Sequence, residues 1–353
     1  MTSAQQRYAA QMPSASPTPS STPHAAVILA GGKGTRLRPL TDNRPKPLVP
    51  FMGAPFIHGL LRRLADTGCE RTMLLVGQES ASWEPTVAFG RSIGLAVTVH
   101  TEPKPLDTAG AARELFNNAR MAGPVLVCNG DILTDVDLDA LVKAHREERA
   151  DATLSLTRVE DTSAFGVVVC DPHGRVTEFV EKPAPGTTET DTVNAGTYVL
   201  SPTVFDVFPG KGPLSFERVV FPGLLQGGAV VIGVPSDAAW QDLGTPERYR
   251  AGHRAVLVGR CTWPADPQLE MIGALVAVHR SAVVADSADL AGGVVVGAGA
   301  RVGAGAVLRD CVLHAGAVVE PYAHLTGVVL GEGATAGGRL SGEVLGDGEQ
   351  RRA

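Results

Sequence analysis

The sequence predicts an α/β domain followed by a short left-handed parallel β-helix. From Ala25 to about Val258, short apolar runs alternate with helical patterns, as in a sheet covered by helices. From about Ile272 to Val344, helix-forming residues nearly vanish and Gly, Ala and Val dominate. Within this second segment, aliphatic and small residues recur every six positions, which is the period of a left-handed parallel β-helix.

The first domain shows its strands and helices in a clear order. Residues 26–30 form an apolar run without polar interruption, as expected for a strand buried on both faces. After a glycine-rich turn, apolar residues spaced three and four apart predict a helix that Gly68 ends. Further helices are predicted from about Thr108 and over residues 246–258. Further strands are predicted at 72–76, 95–99, 125–128, 152–156, 166–169, 176–180, 197–200 and 229–234.

The six-residue repeat has two phases between residues 290 and 318. One phase contains Leu290, Val296, Val302 and Leu308, and the other contains Val294, Ala300, Ala306, Val312 and Val318. A low-complexity Gly/Ala linker would not keep aliphatic residues in phase over this length. Three hexads make one triangular coil, so the segment predicts about four coils. Such a stack leaves exposed edges, which favours a homo-oligomer.

Composition divides the chain into four predicted parts. Residues 1–24 are rich in Ser, Pro, Ala and Gln and lack the apolar core of a signal peptide, which predicts a disordered leader. The α/β domain spans 25–258, a Pro-containing linker spans 259–268, and the β-helix spans 269–353.

Charge and cysteine content exclude several classes of protein. The net charge of −6 over 353 residues, without a basic run, argues against nucleic-acid binding. No stretch approaches the ~18 apolar residues of a membrane span. None of the five cysteines forms a CxxC pair, which predicts free thiols in a reducing cytoplasm. They are Cys69, Cys128, Cys170, Cys261 and Cys311.

The strongest chemical signal is the glycine-rich loop after the first strand. Its backbone N–H groups can approach a phosphate chain closely, and its cations suit a triphosphate. The loop has neither the GK[ST] ending of a P-loop nor the GxGxxG spacing of a dinucleotide fold. A tight turn would account for the glycines but not for the cations. The glycines and cations are Gly31, Gly32, Gly34, Lys33, Arg36 and Lys46.

Residues 29–41 (LAGGKGTRLRPLT) and 45–50 (PKPLVP) resemble the signature of the sugar-nucleotide pyrophosphorylase family, in its mannose-1-phosphate guanylyltransferase-like branch. The resemblance extends from Ala25 into the β-helix and implies a Rossmann-like nucleotidyltransferase domain with a mixed sheet. Seven further motifs follow in family order: 107–112 (DTAGAA), 128–133 (CNGDIL), 165–166 (FG), 180–183 (VEKP), 193–198 (VNAGTY), 215–218 (SFER) and 240–246 (WQDLGTP).

The resemblance implies an enzyme that joins a nucleoside triphosphate to a sugar 1-phosphate and releases pyrophosphate. A sugar phosphate oxygen would attack the α-phosphorus in line. That nucleophile is already largely anionic near pH 7, because the second pKa of a phosphate monoester is about 6. No general base is required, and catalysis reduces to positioning and to charge stabilisation by cations.

The resemblance also implies roles for individual residues. Asp131 and Asp242 would hold Mg²⁺, which binds through one or two carboxylates plus substrate phosphates. Arg36 would contact the β- and γ-phosphates, while Lys46 and Lys182 would hold the α-phosphate and the sugar phosphate. The implied sugar-binding residues are Gly166, Glu181, Asn194 and Gly196. The implied nucleotide-binding residues are Leu29, Gly31, Gly32, Gly34, Thr35, Thr108, Gly110, Asn129 and Gly130.

Three departures from the family pattern leave open which nucleotide base and which sugar the enzyme uses. Asp107 replaces a common Gly, Gln241 replaces a commoner Leu, and residues 77–83 (GQESASW) are unusual. Asp107 could accept hydrogen bonds from the guanine N1–H and exocyclic amine, or it could cap the helix that begins at Thr108. We expect GTP and mannose 1-phosphate. A cyclitol phosphate such as valienol 1-phosphate, in an antibiotic pathway, is the alternative acceptor.

Other functions remain as alternatives at this stage. Uridylyl, thymidylyl or adenylyl transfer to glucose 1-phosphate would use the same phosphate machinery. A regulatory paralogue without turnover is disfavoured because Arg36, Asp131 and Asp242 are all present. An acyltransferase β-helix would need a long loop insertion, which the repeat lacks, although histidines are available at His279, His314 and His324.

Overall fold

The computed structural model describes residues 25–77, 83–102, 104–119, 121, 123–188 and 190–352. The predicted leader and most of the unusual loop 77–83 lie outside the described residues. The chain forms two compact units. The first contains the residues up to Gly31, Arg63–Gly130 and Val136–Ala238; the second contains Gly32–Arg62, Asp131–Asp135 and Ala239–Ala353. In the described part, no helix is long and apolar enough to cross a membrane.

The α-helices confirm the three that the sequence predicted and add others. Pattern analysis missed α2, α4 and α5. In α4 the apolar positions Leu138, Leu141 and Val142 recur at helical spacing and are buried on one face. The Asp137 side chain caps this helix by accepting a hydrogen bond from Ala140 N at 2.9 Å. The helices are α1 (Phe56–Asp66), α2 (Glu84–Ser92), α3 (Asp107–Ala119), α4 (Leu138–Glu147), α5 (Phe221–Gln226) and α6 (Pro246–Leu257).

The strands before residue 258 include all those predicted. They are β1 (Ala25–Ala30), β2 (Pro50–Phe51), β3 (Ala54–Pro55), β4 (Arg71–Val76), β5 (Ala96–Thr101), β6 (Val125–Asn129), β7 (Ile132–Thr134), β8 (Ala152–Arg158), β9 (Gly166–Cys170), β10 (Val176–Glu181), β11 (Thr192–Leu200), β12 (Val231–Pro235) and β13 (Trp240–Asp242). Strands β2 and β3 pair with each other, as do β7 and β13.

The first unit contains a nine-stranded mixed sheet, as the resemblance implied. Its main path runs β10-β9-β11-β6-β1-β4-β5, and β8 joins β11 to β12. Strand β1 is parallel to β4 and β6, whereas β11 is antiparallel to β6, β8 and β9. Val27 and Ile28 of β1 are fully buried. The central strand therefore delivers the glycine-rich loop at the carboxyl edge of the parallel strands, where ligands collect in α/β sheets.

The segment after residue 268 coils through three sheets of six, five and four strands. Apart from the antiparallel β14–β15 pair, neighbouring strands are parallel, consistent with the predicted left-handed β-helix. The strands are β14 (Leu269–Gly273), β15 (Val276–His279), β16 (Val283–Val284), β17 (Asp289–Ala291), β18 (Val294–Val296), β19 (Arg301–Val302), β20 (Val307–Arg309), β21 (Val312–Leu313), β22 (Val318–Val319), β23 (His324–Thr326), β24 (Val329–Leu330), β25 (Thr335–Gly337), β26 (Arg339–Ser341), β27 (Val344–Leu345) and β28 (Gln350–Arg352).

The predicted repeat phase is wrong beyond Leu308. Paired residues in the sheet that contains β18 are 18, 17, 17 and 15 residues apart in successive coils. A coil of 17 residues is one residue short of three hexads, so the inward positions slip by one. Cys311 and Ala317 therefore continue the β-helix core, in place of the predicted Val312 and Val318.

The β-helix is tied to other segments of the second unit. Val295, which alternates with the core residues Val294 and Val296, is nevertheless buried, so the outer face of this sheet is also covered. Asp310 pairs with Arg250 and Arg254 of α6 at 3.2 and 3.6 Å. Ion pairs and the Tyr249–His314 hydrogen bond therefore hold the β-helix against α6.

The stretch predicted as a linker is also anchored. Cys261 and Trp263 are buried, and the Trp263 ring stacks on Phe56 of α1 with centroids 4.7 Å apart. A Cβ on Gly59 would lie only 2.4 Å from this indole. The close approach of the ring to the helix backbone explains why a glycine stands there.

Arg44 provides a test of how strongly the β-helix is held. Its side chain is only 18% exposed and pairs with Glu332 at 2.6 Å and with Asp347. Arg44→Met leaves two partly buried carboxylates without their cation and should lower the free energy of unfolding by about 1–3 kcal/mol in urea. Arg280→Met, which breaks an exposed pair with Glu270, should cost less than about 1 kcal/mol. Equal losses of unfolding free energy in the two variants would contradict the greater contribution assigned to Arg44.

Candidate active site

The glycine-rich loop folds back onto Lys46. Gly34 has φ of 61°, a conformation that glycine adopts without strain, and it precedes the 3-10 turn Thr35–Leu37. A Cβ on Gly34 would lie 2.9 Å from the Lys46 Cβ. The Thr41 hydroxyl donates to the Gly34 carbonyl at 2.9 Å. The loop therefore needs glycine here for both its backbone angle and its contact with the lysine.

Lys46 joins the two aspartates predicted to bind metal. Its side chain is 8% exposed, and Nζ lies 2.7 Å from Asp131 Oδ2 and 3.3 Å from Asp242 Oδ1. The β7–β13 pair brings the carboxylates together, because Asp131 directly precedes β7 and Asp242 ends β13. Leu243 N also donates to the Asp131 carbonyl at 3.3 Å. A short antiparallel pairing thus converts two distant motifs into one charged cluster.

Two arginines complete the charge pattern around Asp242. Arg36 NH2 lies 3.8 Å from Asp242 Oδ2, and 67% of its side chain is exposed. Arg248 NH1 donates to the same oxygen at 2.8 Å. Sequence reasoning missed both Arg248 and Gly244. A Cβ on Gly244 would lie 2.8 Å from Arg36 NH2 and 2.9 Å from Asp242 Oδ1, so this motif glycine makes room for the cluster.

The donor set suits a hard divalent cation that also binds substrate. Asp131 and Asp242 offer carboxylate oxygens around one point, currently bridged by an ammonium group. Among the described residues, no group of three or more His, Cys, Asp or Glu side chains could enclose a metal. Mg²⁺ commonly takes one or two carboxylates and fills its octahedron with water and phosphate oxygens. The residues therefore fit Mg²⁺ held jointly with a nucleotide.

In the first unit, the end of β1 lies beside a carboxylate that sequence analysis did not identify. Leu29 O accepts a hydrogen bond from Gly130 N at 2.9 Å, which joins two predicted nucleotide contacts. A Cβ on Gly31 would lie 3.2 Å from Glu102 Oε1. Glu102 Oε2 accepts from Leu106 N at 3.0 Å, and burial raises the pKa of Glu102. This carboxylate therefore borders the start of the glycine-rich loop.

Asp107 has partners for both carboxylate oxygens. Its Oδ1 accepts from Thr108 N at 2.8 Å, and its Oδ2 pairs with Arg218 NH2 at 2.5 Å. The residue is the first of α3 and has φ of 61°, an angle that favours glycine, which the family commonly has here. These contacts favour the interpretation of Asp107 as a helix-terminus residue over base recognition.

Thr108 and Gly110 serve the packing of α3. The Thr108 hydroxyl donates to Glu217 Oε2 at 2.8 Å and accepts from Phe216 N at 2.9 Å. Gly110 is buried, and its N–H donates to Leu214 O at 3.1 Å. The Thr108 hydroxyl and the Gly110 amide therefore both have hydrogen-bond partners within the first unit.

The predicted sugar-binding residues line β11 and its neighbours. Asn194 Nδ2 donates to the hydroxyl of buried Tyr198 at 2.7 Å, and Asn194 Oδ1 accepts from Gly196 N at 3.0 Å. Gly196 has φ of 74°, and a Cβ there would lie 2.6 Å from Asn129 Nδ2. Asn194 and Asn129 therefore both lie against the backbone of Gly196.

Glu181 and Lys182 form a second polar group at the end of β10. Lys182 Nζ lies 3.4 Å from Glu181 Oε1, and the lysine backbone has φ of 49°. Burial raises the pKa of Glu181, and the nearby Glu217 carboxylate raises it further. A Cβ on Gly166 would lie 3.0 Å from Glu181 Oε2, so Gly166 leaves this carboxylate accessible.

The predicted site residues thus fall into two sets. In the second unit, the structure brings together Arg36, Lys46, Asp131 and Asp242, with Gly34 and Thr35 in the same loop and Gly32 exposed before them. The first unit holds the remaining predicted residues: Leu29, Gly31, Thr108, Gly110, Asn129, Gly130, Gly166, Glu181, Lys182, Asn194 and Gly196.

A mixed sheet, a glycine-rich loop at its carboxyl edge and a lysine–diaspartate cluster define a nucleotidyl-transferring class of protein. The nucleotidyl transferase family model matches residues 25–258. This chain belongs to that family.

Similar proteins include curated sequences and solved structures. The mannose-1-phosphate guanylyltransferase of Mycobacterium tuberculosis is 40% identical over 84% of this chain and 81% of its own length. The probable mannose-1-phosphate guanylyltransferase 1 of Oryza sativa subsp. japonica is 33% identical over 88% and 87%. HddC from Yersinia pseudotuberculosis, solved also as a complex with GMP-PN, has a TM-score of 0.55 and 29% identity, covering 65% of this chain and 97% of HddC.

Gly244→Ala tests whether the charge cluster depends on this glycine. The new methyl group meets the ends of two flexible side chains, so the fold should survive while Arg36 and Asp242 are displaced. We expect turnover to fall by about 10- to 100-fold with little change in Tm, because small misplacements of reacting groups are costly. Gly273→Ala, where a Cβ meets nothing within 4 Å, is the matched control. Undiminished turnover in Gly244→Ala would contradict the assignment.

Proposed function

We propose that the protein transfers a guanylyl group from GTP to a sugar 1-phosphate, with mannose 1-phosphate as the acceptor, and releases pyrophosphate. The observation that carries the proposal is the Lys46 ammonium between Asp131 and Asp242, beside the phosphate loop. Two relatives named as mannose-1-phosphate guanylyltransferases and the GMP-PN complex of HddC support the choice of base and sugar.

The proposed catalytic residues act mainly by neutralising the negative charge of the substrate phosphates. Two anions must meet for a sugar phosphate oxygen to attack the α-phosphorus, and the phosphate monoester is already largely deprotonated at neutral pH. Lys46 and Lys182 hold the α-phosphate and the sugar phosphate, which lowers their mutual repulsion. Arg36, whose side chain is largely exposed, binds the β- and γ-phosphates and stabilises pyrophosphate as it leaves. No side chain needs to accept a proton.

Asp131 and Asp242 would hold Mg²⁺ together with the substrate phosphates. When bound, the ion withdraws charge from the phosphate oxygens and orients the nucleotide. The two aspartates would determine the position of the ion, and the pairing of β7 with β13 fixes the positions of the aspartates. With the ion bound, Lys46 would no longer be needed to bridge the two aspartates and would be available to the phosphates.

The base is recognised by a carboxylate, and the structure favours Glu102 over Asp107 for this role. Both Asp107 oxygens are engaged by Thr108 N and Arg218, whereas Glu102 Oε1 borders Gly31 of the phosphate loop. A carboxylate can accept from the guanine N1–H and exocyclic amine together. Adenine lacks this donor pair, and a hydrogen-bonding site rejects an analogue that leaves its groups unpaired.

The sugar ring would lie against Glu181 and Asn194. A carboxylate and an amide bind ring hydroxyls, and a cyclitol phosphate such as valienol 1-phosphate would offer similar ones. Burial raises the pKa of Glu181 above its ordinary value. Self-association through the β-helix and a cytoplasmic location stay predictions.

The direct test is pyrophosphate release from each of four nucleoside triphosphates with mannose 1-phosphate, glucose 1-phosphate and valienol 1-phosphate, in the presence of Mg²⁺. GTP with mannose 1-phosphate should give the highest kcat/KM. A preference for ATP, UTP or dTTP would overturn the guanylyl assignment, and a preference for valienol 1-phosphate would replace the sugar. Absence of turnover with every pair would instead support a regulatory protein.

Asp131→Asn and Asp242→Asn test the metal proposal. Each removes one negative charge from the site of a divalent ion, so turnover at saturating Mg²⁺ should fall by at least about 100-fold. Each change also relieves Lys46 of one partner without altering side-chain size, and circular dichroism should show a retained fold. EDTA should stop the wild-type reaction. Near-normal turnover of either variant would remove that residue from the ligand set.

Glu102→Gln tests base recognition, with Asp107→Ser as the matched variant. Gln presents a donor where guanine also has a donor, so the GTP:ATP ratio of kcat/KM should fall about tenfold, or about 1.4 kcal/mol of discrimination. Serine at 107 retains a group able to cap α3, and the ratio should stay within about threefold of wild type. The reverse pattern would move recognition to Asp107, and two unchanged ratios would exclude both carboxylates.

A further inference from the structure

Arg248 is a cation beside Asp242 that has no assigned role in the reaction. Its NH1 donates to Asp242 Oδ2 at 2.8 Å. The Asp242 side chain is 13% exposed and that of Arg248 is 38% exposed, so the pair is partly sheltered from solvent. A charged hydrogen bond in this setting is stronger than a fully exposed ion pair.

The backbone fixes Arg248 relative to Asp242. Arg248 lies in the first turn of α6, where its N–H donates to the Thr245 hydroxyl at 3.3 Å. Pro246, the first residue of the helix, restricts the backbone further. Only Leu243, Gly244 and the cap separate Asp242 from the helix. The guanidinium is therefore delivered to the carboxylate by a short and constrained turn.

The two oxygens of Asp242 have different neighbours. Oδ1 faces the Lys46 ammonium, which also contacts Asp131, whereas Oδ2 is bonded to Arg248. Arg36 lies farther from Oδ2, at 3.8 Å, and is largely exposed. Lys46 and Arg36 both have phosphates to bind in the proposed reaction. Arg248 is the cation of this cluster that can remain on Asp242 throughout.

We infer that Arg248 is a positioning residue for the metal site. It holds Oδ2 of Asp242 so that Oδ1 stays turned toward the point where Lys46 Nζ also meets Asp131, and its charge weakens cation binding when no nucleotide is present. A positive charge next to a divalent ion is repulsive, and phosphate oxygens offset that repulsion. The metal therefore enters the site with the nucleotide. This inference rests on the proposed metal role of Asp131 and Asp242.

The test uses Mn²⁺ as a paramagnetic probe of binding to the full-length protein without nucleotide. Arg248→Gln removes the charge, so the Mn²⁺ Kd should fall at least about threefold. The same variant frees Asp242 to rotate, so kcat at saturating Mg²⁺ should fall about tenfold or more. Tighter metal binding with slower turnover is a combination that a merely structural role would not give.

Two further variants sharpen the result. Arg248→Lys keeps the positive charge but loses the planar guanidinium group. Its Mn²⁺ affinity should therefore stay near that of wild type, while its kcat should lie between those of wild type and Arg248→Gln. Arg254→Gln is the matched control, because Arg254 lies on the same helix and pairs with Asp310 at 3.6 Å. It should change neither Mn²⁺ affinity nor kcat.

The outcomes separate this inference from the function on which it rests. If a variant with both Asp131→Asn and Asp242→Asn binds Mn²⁺ as well as wild type does, the proposed metal site is wrong. If that variant loses Mn²⁺ while Arg248→Gln binds it with unchanged or weaker affinity, the inference about Arg248 alone is overturned. Unchanged kcat in Arg248→Gln would equally remove the positioning role.

Discussion

A lysine ammonium shared by two aspartates is the interaction on which the second unit's chemistry depends. Lys46 is 8% exposed, and a charge removed from water to this extent is costly unless it is paired. Asp131 and Asp242 supply the pairing, and the β7–β13 ladder holds both carboxylates within reach. The left-handed backbone of Gly34 lets the glycine-rich loop pass over the same lysine.

Helix α6 connects this cluster to the β-helix within the second unit. Its first turn presents Arg248 to Asp242, and the next two residues, Tyr249 and Arg250, contact β-helix residues. His314 Nε2 lies 2.9 Å from the Tyr249 hydroxyl, which donates to Pro50 O. Burial lowers the pKa of His314 to about 3, so this bridge stays uncharged at neutral pH. The charge cluster around Asp242 and the packing of the β-helix therefore share one structural element.

The alternation of apolar runs and the six-residue repeat were sufficient to predict the fold class, and the family resemblance singled out Lys46, Asp131 and Asp242 without predicting that the lysine bridges the two aspartates. Neither could predict what depends on distant partners. Asp107 is engaged by Arg218, which lies 111 positions away. Glu102 borders Gly31 only because β1 and β5 belong to one sheet. The predicted inward positions of the β-helix are wrong past Leu308 because one coil has 17 residues instead of three full hexads, and nothing in the sequence marks the missing residue.

A double-mutant cycle measures directly whether Lys46 and Asp242 work as one unit. The kcat/KM values of Lys46→Met, Asp242→Asn and the double variant would be compared with wild type at saturating Mg²⁺. Residues that act together show strongly non-additive losses, so the double variant should be about as slow as the slower single variant. Losses that multiply, as for independent sites, would contradict the shared-charge account.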